Sequence, residues 1–388
     1  MDWVAISLCL PVHPVPKTIL FLARSLDRGG AERQLVVLAK GLASRGHAVS
    51  VAVFFGGGVY ETELAEAGVC VLNLGKTGRW DILPFLNRLV HLLRKKRPTV
   101  LHSYLGVPNI LATVLKPLLP GTRIVWGVRA SNVDLSRYDW LSRLAYALEC
   151  RLARFADLII ANSHAGATYA VKHGFPAQRV VVIPNGIDTE RFRFDPQGRG
   201  QIRAEWHIRE GELLIGLVAR LDPMKDHTMF LQAASLLAAK FPNLRFVCVG
   251  NGAPDYSESL KQMAVVLGLG ERMIWTGARD DMPAVYSALD IASSSSFGEG
   301  FSNTVAEAMA CSVPCVVTEV GDSALIVGDT GSVTPPGDHS ALAAAIGRLI
   351  DRPHEERLVL GEVCRARVVS EFGIDRLIQR TEEALGLV

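Results

Sequence analysis

Short apolar runs alternate with amphipathic helical stretches in both halves of these 388 residues, and this pattern most constrains the fold. Residues 213–219 are apolar apart from one glycine, which is typical of a strand buried on both faces of a parallel sheet. Alternation of this kind predicts an α/β chain with two doubly wound, Rossmann-like domains that face each other across a cleft. The predicted strands are 18–23, 48–55, 69–74, 99–102, 123–127, 158–161 and 180–183 in the first half, and 213–218, 245–249, 273–276, 291–293, 315–317 and 331–333 in the second.

Length and composition limit the domain organisation. The length suggests two or three domains, and a hydrophobic content of 49% suits buried parallel strands. The polar stretch 191–203, rich in Gly, Pro and Arg, predicts a linker. We therefore expect a first domain over 1–195, a second over 196–371 and a helical tail over 372–388. Residues 1–16 are interpreted as a loose extension because a basic leader is missing, and the absence of a run of about 18 apolar residues predicts no transmembrane helix.

Two glutamates eight positions apart, Glu299 and Glu307, mark the most informative segment. Gly298 and Gly300 permit a tight turn, after which a helix is expected to begin near residue 302. The free N–H groups of a helix N-terminus attract phosphate, and a carboxylate on either side can accept hydrogen bonds from hydroxyls. The segment therefore favours a nucleotide sugar as ligand. The plain alternative is a loop glutamate and a solvated helix glutamate.

Two cations follow the apolar run 213–219. Arg220 and Lys225 lie beyond the predicted strand, and Asp226 or His227 is placed to cap the helix that comes next. Ligands of open α/β sheets bind outside the carboxyl ends of strands, where Arg and Lys can hold phosphate. Taken alone, two such cations are more often solvated loop residues. Because strand, turn, cations and helix start agree, we favour the phosphate site.

At these residues the chain resembles the retaining glycosyltransferases of family 4 (group 1), which have the GT-B fold. Arg220, Lys225 and the two glutamates match the donor-site pattern of that family. The segment 27–33 (DRGGAER) is similar to its amino-terminal glycine loop, and 182–188 (VIPNGID) is similar to the strand and turn that close its first domain. The resemblance implies an acceptor-binding first domain, a nucleotide-sugar-binding second domain and a final helix that crosses back to the first domain.

Motifs and resemblance together give the candidate site. The candidate catalytic residues are Glu299, Arg220, Lys225 and His102. The candidate donor-binding residues are Gly29, Gly30, Arg129, Gly298, Gly300, Phe301, Ser302, Asn303, Thr304, Glu307, Gly250 and Arg279. In this set Glu299 is expected to orient the donor sugar and Glu307 the ribose, while Gly250 and Arg279 resemble positions around the nucleotide base.

Four candidate residues in the first half need separate consideration. Gly29 and Gly30 suit a loop that approaches phosphate closely, but a tight turn between a strand and a helix explains them equally well. His102 ends a strand that we expect to point into the cleft, where it would bind the acceptor, whereas an isolated histidine is more often structural. Arg129 stands where the family often carries a histidine that contacts the donor sugar. This departure suggests an acidic or phosphate-bearing ligand.

Charge is distributed unequally along the chain. Residues 1–195 carry 24 Lys and Arg against 14 Asp and Glu, a net charge of +10, whereas the remainder has a net charge of −8. The four consecutive cations Arg94, Lys95, Lys96 and Arg97 end an amphipathic stretch. This run predicts contact with an anionic membrane surface, although cations also suit an ordinary helix C-terminus. Nucleic acid is not expected as a partner, because no recognised binding module accompanies the charge.

The reaction that follows from the resemblance is transfer of a sugar from a UDP- or GDP-linked donor to a glycan or lipid-linked acceptor. The resemblance implies front-face attack with retention of configuration. No metal and no cofactor are expected, since no D-x-D or His/Asp cluster is evident and two cations plus a helix N-terminus can neutralise a diphosphate. A GT-B epimerase and a non-catalytic nucleotide-sugar-binding protein are the alternatives.

The expected location is the cytoplasm, with peripheral attachment to the inner face of the cell membrane as an option. The pathway expected from the resemblance is cell-envelope polysaccharide or glycolipid synthesis. Seven scattered cysteines suggest mostly buried, reduced thiols and lack the spacing of a zinc site.

Overall fold

The computed structural model describes residues 17–78, 80–129 and 140–387. The expected amino-terminal extension and Cys9 lie outside these residues. Thirteen strands are present in this part of the chain: β1 (Thr18–Ala23), β2 (Ala48–Val53), β3 (Cys70–Asn73), β4 (Val100–Tyr104), β5 (Arg123–Val128), β6 (Leu158–Ala161), β7 (Val180–Val182), β8 (Leu213–Val218), β9 (Leu244–Val249), β10 (Met273–Gly277), β11 (Ile291–Ser294), β12 (Cys315–Thr318) and β13 (Ser332–Thr334). Every predicted strand is found, with ends shifted by two residues at most.

Fifteen α-helices connect and follow these strands in the described residues. They are α1 (Gly30–Ser44), α2 (Glu61–Glu66), α3 (Leu83–Lys96), α4 (Gly106–Val114), α5 (Trp140–Leu152), α6 (His164–Lys172), α7 (Pro196–Glu205), α8 (His227–Lys240), α9 (Pro254–Val266), α10 (Met282–Ala288), α11 (Asn303–Ala310), α12 (Ser323–Val327), α13 (His339–Ile350), α14 (His354–Phe372) and α15 (Ile374–Leu385).

The strands form two separate parallel sheets. The first has the order β3-β2-β1-β4-β5-β6-β7 and the second the order β10-β9-β8-β11-β12-β13. Apolar side chains are buried on both faces of each sheet, which explains why the strand sequences are almost continuously apolar. The prediction of two doubly wound, Rossmann-like sheets is confirmed.

In each sheet the strand order changes direction at one place. This switch lies between β1 and β4 in the first sheet and between β8 and β11 in the second. The loops that leave these strands at their carboxyl ends diverge to opposite faces and leave a crevice, where ligands of such folds bind. The glycine loop after β1, the cations after β8 and the glutamate segment after β11 all start at these switch points.

The predicted linker 191–203 is partly wrong. Helix α7 occupies much of it, beginning at Pro196 with Asp195 as its N-cap, whose carboxylate accepts a hydrogen bond from Gly198 N at 2.9 Å. Arg199 and Arg203 on this helix pair with Asp290 at 2.7 and 3.0 Å, respectively. The glycines and arginines that suggested a linker therefore belong to a capped helix that is tied to the second sheet.

The last helix packs on the first domain. Leu377, Ile378 and Leu385 of α15 belong to the same buried cluster as β1 and α1. A Cβ on Gly41 would lie 2.3 Å from Ile378 Cδ1, so a larger residue here would displace the Ile378 side chain where α1 and α15 approach each other. Buried Glu382 lies 3.2 Å from the ring of His47. The expected return of the final helix to the first domain is seen in these contacts, while the boundaries at 195 and 371 stay predictions.

Candidate active site

One of the two predicted cations, Lys225, contacts the first of the two predicted glutamates, Glu299. Lys225 lies in a short 3-10 turn after β8, and its Nζ is 2.5 Å from Glu299 Oε1, which also accepts a hydrogen bond from Ser296 Oγ at 2.7 Å. The loops are also joined by a backbone bond from Phe297 N to Met224 O at 2.8 Å. Lys225 and Glu299 thus form one charged unit at the switch point of the second sheet.

Arg220 lies nearby but is far more exposed. The Arg220 side chain is 73% exposed, and its Nη2 atom lies 3.0 Å from Asp222 Oδ2. Asp222 caps the 3-10 turn by accepting a hydrogen bond from Met224 N. The Asp226 cap predicted from the sequence is present, since its carboxylate accepts a hydrogen bond from Met229 N at 3.0 Å.

The glycine-rich turn leads into α11 as the sequence predicts. Ser302 is the N-cap residue, and the helix begins at Asn303. Phe301 anchors the turn by packing edge-on against Phe372 with ring centroids 5.4 Å apart. A Cβ on Gly298 would lie 3.6 Å from Met224 Sδ, and one on Gly300 would lie 3.3 Å from Ser163 Oγ. The turn therefore packs closely against neighbouring loops. The N–H groups at 303–305 have no acceptor within the helix, as at any helix N-terminus, and such groups can bind an anion.

Glu307 is held inside the second domain. The hydroxyl of Tyr286 donates a hydrogen bond to Glu307 Oε2 at 2.9 Å. Burial raises the pKa of Glu307 to about 7, while that hydrogen bond and the positive charges of Arg33 and Arg191 act in the opposite direction. Arg33 lies on α1. A positive charge of the first domain therefore lies close enough to lower the pKa of this second-domain carboxyl group.

The two domains meet at the start of α11. Asn185 Nδ2 donates to Asn303 Oδ1 at 2.9 Å, and Arg129 donates to Asn185 Oδ1 at 2.8 Å. Arg129 also donates to the hydroxyl of Tyr104 at 2.8 Å. A Cβ on Gly30 would lie 3.6 Å from Asn303 Nδ2, so the glycine loop of the first domain faces the same helix end. Arg129 and Gly30 are thus both brought to the cleft.

A second contact between the domains escaped the sequence analysis. Asp322, which is 3% exposed, accepts hydrogen bonds from His164 N at 2.7 Å and Ala165 N at 3.0 Å, in the first turn of α6. Its own N–H donates to Gly300 O at 3.0 Å. Asp322 therefore joins the glutamate segment to the N-terminus of a first-domain helix. In the sequence, Asp322 is marked only by the preceding Gly321, which suggests a turn. That signal does not identify a hydrogen-bond partner 158 residues away.

The structure differs from the expectation for His102. Its side chain is 0% exposed and packs beside Phe21 and Tyr104, with ring centroids 5.2 and 4.9 Å away. Burial and the nearby charge of Arg129 lower the pKa of His102 to about 3. The neutral ring is enclosed because β4 continues past His102 to Tyr104, so His102 lies within the buried strand and not at its end.

The remaining predicted positions differ in their surroundings. Gly29 precedes α1 and makes no unusual backbone turn, whereas Gly250 has a φ of 147° and a Cβ there would lie 2.0 Å from Ala219 O. Arg279 forms ion pairs with Glu205 at 2.6 Å and Asp281 at 2.7 Å. Thr304 lies in the first turn of α11, 3.4 Å from Ser302 Oγ. Gly250 thus permits a close approach of two loops, and Arg279 braces α7 and α10.

The basic run lies away from the cleft. Arg94, Lys95 and Lys96 form the last turn of α3, and Arg97 ends it with a φ of 43°. Residues 94–97 immediately precede β4, so they lie at the amino-terminal edge of the first sheet, opposite the edge that carries Arg129.

Among residues 17–78, 80–129 and 140–387, no group of three or more His, Cys, Asp or Glu side chains could hold a metal ion. Cys248, Cys311, Cys315 and Cys364 are buried, whereas Cys150 is half-buried and Cys70 is exposed. Every helix within the described ranges is too short or too polar to span a bilayer.

Two family models match the chain, one on each domain. The model for glycosyltransferase family 4 matches residues 28–191, and the model for glycosyl transferases group 1 matches residues 212–352. The two matches cover both sheets and the loops that form the candidate site. The chain belongs to the family 4, group 1 glycosyltransferases.

Curated relatives agree with this membership. A D-inositol 3-phosphate glycosyltransferase from Mycobacteroides abscessus is 31% identical over 205 residues, which cover 51% of this chain and 45% of the relative. A putative glycosyltransferase, EpsD of Bacillus subtilis, is 29% identical over 274 residues and 69% of each chain. A GDP-mannose-dependent alpha-(1-6)-phosphatidylinositol monomannoside mannosyltransferase from Mycolicibacterium smegmatis is 28% identical over 52% of this chain and 55% of the relative. The aligned part thus spans about half the length of the first and third relatives.

Solved structures share the fold. HepE of Anabaena in complex with UDP has a TM-score of 0.84 at 24% identity and covers 96% of this chain and 100% of its own. A glycosyltransferase from Rickettsia africae has a TM-score of 0.79 at 18% identity, over 95% of this chain and 98% of its own. These similarities confirm the GT-B fold class.

Proposed function

We propose that this protein transfers a sugar from a UDP- or GDP-linked donor to a glycan or lipid-linked acceptor, with retention of configuration and without a metal ion. The observation that carries the proposal is the Lys225–Glu299 pair at the switch point of the second sheet, beside the N-terminus of α11. It brings a cation, a carboxylate and free N–H groups to the place where such sheets bind ligands.

The donor diphosphate would lie between Lys225, Arg220 and the first turn of α11. Breaking the bond between the anomeric carbon and the phosphate oxygen leaves negative charge on the diphosphate. Preorganised cations and N–H groups stabilise that charge more in the transition state than in the ground state. Arg220 is exposed in this structure and is free to approach the phosphates by exchanging its contact with Asp222.

The two glutamates would hold the sugars at either end of the diphosphate. Glu299 would accept hydrogen bonds from donor-sugar hydroxyls once Lys225 turns to phosphate. Glu307, with Tyr286 on its other oxygen, would accept them from the ribose. The acceptor hydroxyl would attack the anomeric carbon from the side of the leaving group, and its proton would pass to the departing phosphate oxygen.

The first domain would supply the acceptor side. Arg129, fixed between Tyr104 and Asn185, would place a positive charge beside the reaction centre and favour an acidic or phosphate-bearing ligand. If the acceptor is lipid-linked, residues 94–97 would associate with an anionic membrane surface at the cytoplasmic face. Their distance from the cleft edge means that such contact would orient the domain without touching the reacting groups.

The names of the relatives define the experiment. GDP-mannose is named for the Mycolicibacterium smegmatis relative, and UDP for the Anabaena structure, so UDP- and GDP-sugars should both be screened for stabilisation of the purified protein. The donor that stabilises it would then be incubated with inositol, glycoside and lipid-linked acceptors, and the product anomer determined by NMR. A retained anomer is expected.

Two other results would overturn the proposal. Isomerised nucleotide sugar in the absence of an acceptor would identify an epimerase. Tight donor binding without turnover on any acceptor would identify a binding protein.

A further inference from the structure

A separate pocket lies beside the cleft in the first domain. It has a volume of about 370 Å³ and lies between α4, α5 and α6 at the carboxyl ends of β4 and β5. Its walls are mainly apolar and include Val107, Ala145, Tyr146, Tyr169 and Phe175. The volume falls within the range of about 300–1,000 Å³ that small-molecule sites occupy.

One carboxylate faces this pocket, although the residue is only 9% exposed. Glu149 Oε1 accepts a hydrogen bond from Asn109 Nδ2 at 2.9 Å, and Asn109 Oδ1 accepts one from Ser103 Oγ at 2.8 Å. This buried chain fixes the orientation of the carboxyl group. Within the described part of the chain, Glu149 Oε2 accepts no hydrogen bond, and it lies against Gly106, where a Cβ would be 3.3 Å from it.

The backbone at the mouth of the pocket is strained. Leu105 has a φ of 67°, a conformation that a residue with a Cβ rarely adopts. Such strain costs roughly 1–3 kcal/mol and is found mainly at ligand sites and switch regions. The conformation of Leu105 turns the chain so that α4 starts at Gly106, directly beside Glu149.

The pocket and the proposed reaction centre share one residue. Arg129 lines the pocket and is linked through Asn185 to Asn303 at the start of α11. A ligand that contacts Arg129 in the cleft is therefore adjacent to this pocket. The inference below rests on the proposed function, because it assigns the pocket to the acceptor of that reaction.

We propose that the pocket binds a sugar or cyclitol ring of the acceptor, next to the ring that carries the reacting hydroxyl. The aromatic and aliphatic walls would contact the C–H face of the ring, and Glu149 Oε2 would accept a hydrogen bond from one of its hydroxyls. An acyl chain fits the same walls, but it would desolvate Glu149 Oε2 without offering it a hydrogen-bond donor, which is costly. Burial raises the pKa of Glu149, with the Asn109 hydrogen bond acting against it, so the group is sensitive to such a partner.

Helix α5 offers a matched pair of variants for the test. Ala145 faces the pocket, whereas Ala147 on the same helix is exposed. Ala145→Leu fills the space, and Ala147→Leu makes the same chemical change outside it. Glu149→Gln keeps the shape and the link to Asn109, whose Nδ2 then donates to the amide oxygen, and it replaces the charged acceptor Oε2 by a neutral N–H donor.

Binding would be measured on the full chain by saturation-transfer difference NMR, without donor. The probes are myo-inositol, methyl α-D-mannopyranoside, methyl α-D-glucopyranoside and, as an apolar probe, hexan-1-ol. At least one polyhydroxylated probe should bind the wild type and Ala147→Leu equally. Ala145→Leu should weaken that binding at least about tenfold, and Glu149→Gln by about fivefold, the difference between a charged and a neutral hydrogen bond.

Several outcomes overturn the inference. The inference fails if hexan-1-ol is the only probe that binds the wild type, or if no polyhydroxylated probe binds it. It also fails if Ala145→Leu and Ala147→Leu bind a polyhydroxylated probe equally well. The proposed function fails by a different result, the absence of nucleotide-sugar binding or of transfer, which this assay does not involve.

Discussion

Replacing Lys225 by alanine tests the proposed donor site most directly. The side chains of Lys225 and Glu299 are 25% and 12% exposed, so their ion pair is neither fully solvated nor fully buried. Exposed pairs contribute about 0–1 kcal/mol, and breaking a buried pair costs about 3–5 kcal/mol. With solvent screening and the remaining bond from Ser296, we expect Lys225→Ala to lower the free energy of unfolding by about 1–2 kcal/mol, a fall in Tm of a few degrees.

The effect on function should be larger than the effect on stability. A charge-assisted hydrogen bond to phosphate contributes about 1.5–3 kcal/mol, so the Kd for the stabilising nucleotide sugar should rise roughly tenfold to 150-fold. Turnover should fall by roughly a hundredfold or more, because the contact strengthens as charge develops on the leaving diphosphate. Isothermal titration calorimetry would give the Kd, and release of nucleoside diphosphate would give the rate.

Lys240→Ala is the matched control. Lys240 pairs with Asp351 at 3.6 Å, but both side chains are more than half exposed and the pair lies at the end of α8, away from the cleft. This variant should keep wild-type binding and turnover. A folded Lys225→Ala protein with wild-type Kd and rate would refute the assignment of Lys225 to the donor phosphates.

Four further predictions follow from the same contacts. Activity should persist in excess EDTA, and complete loss that magnesium or manganese restores would reveal a metal requirement. Because burial raises the pKa of Glu307 from 4.5 to about 7, the folded state favours the protonated form; wild-type stability relative to Glu307→Gln should therefore fall as pH rises from about 4.5 through 7, and a pH-independent difference in denaturant unfolding would contradict this. Asp322→Asn should destabilise the protein by about 1–3 kcal/mol, because one of two N–H groups of α6 loses its acceptor, and unchanged unfolding would show that the contact contributes nothing. Neutralising Lys95, Lys96 and Arg97 should weaken sedimentation with anionic vesicles at low salt and leave nucleotide-sugar binding unchanged; equal vesicle binding would make residues 94–97 an ordinary helix end.

Several local features could be read from the sequence because their causes lie within a few residues. The apolar run 213–219 became β8, and Asp226 caps α8 through a neighbour three positions away. The turn at Gly298 and Gly300 leads into a helix at Asn303. Helix α7 was not predicted, although its start is marked by Asp195, a good N-cap residue, and Pro196, a good first residue. The glycines and arginines that follow have the composition of a linker, and they hid this signal.

What the sequence could not show depends on contacts between distant elements. His102 looked like a strand end open to the cleft, but β4 continues to Tyr104, and the ring is enclosed between Phe21 and Tyr104. Glu149 lies 40 residues from Asn109, and their partnership exists because α4 and α5 pack together.

The sequence by itself determined the strands, the helix starts and the chemical groups that follow β8 and β11, because hydrophobic period and capping act over a single turn or strand. The tertiary structure decided which of those groups meet. Lys225 is 74 residues from Glu299, and Asp322 is 158 residues from His164. Such pairs form when parallel strands bring their carboxyl ends to one edge and the two sheets place those edges face to face, which local patterns do not specify.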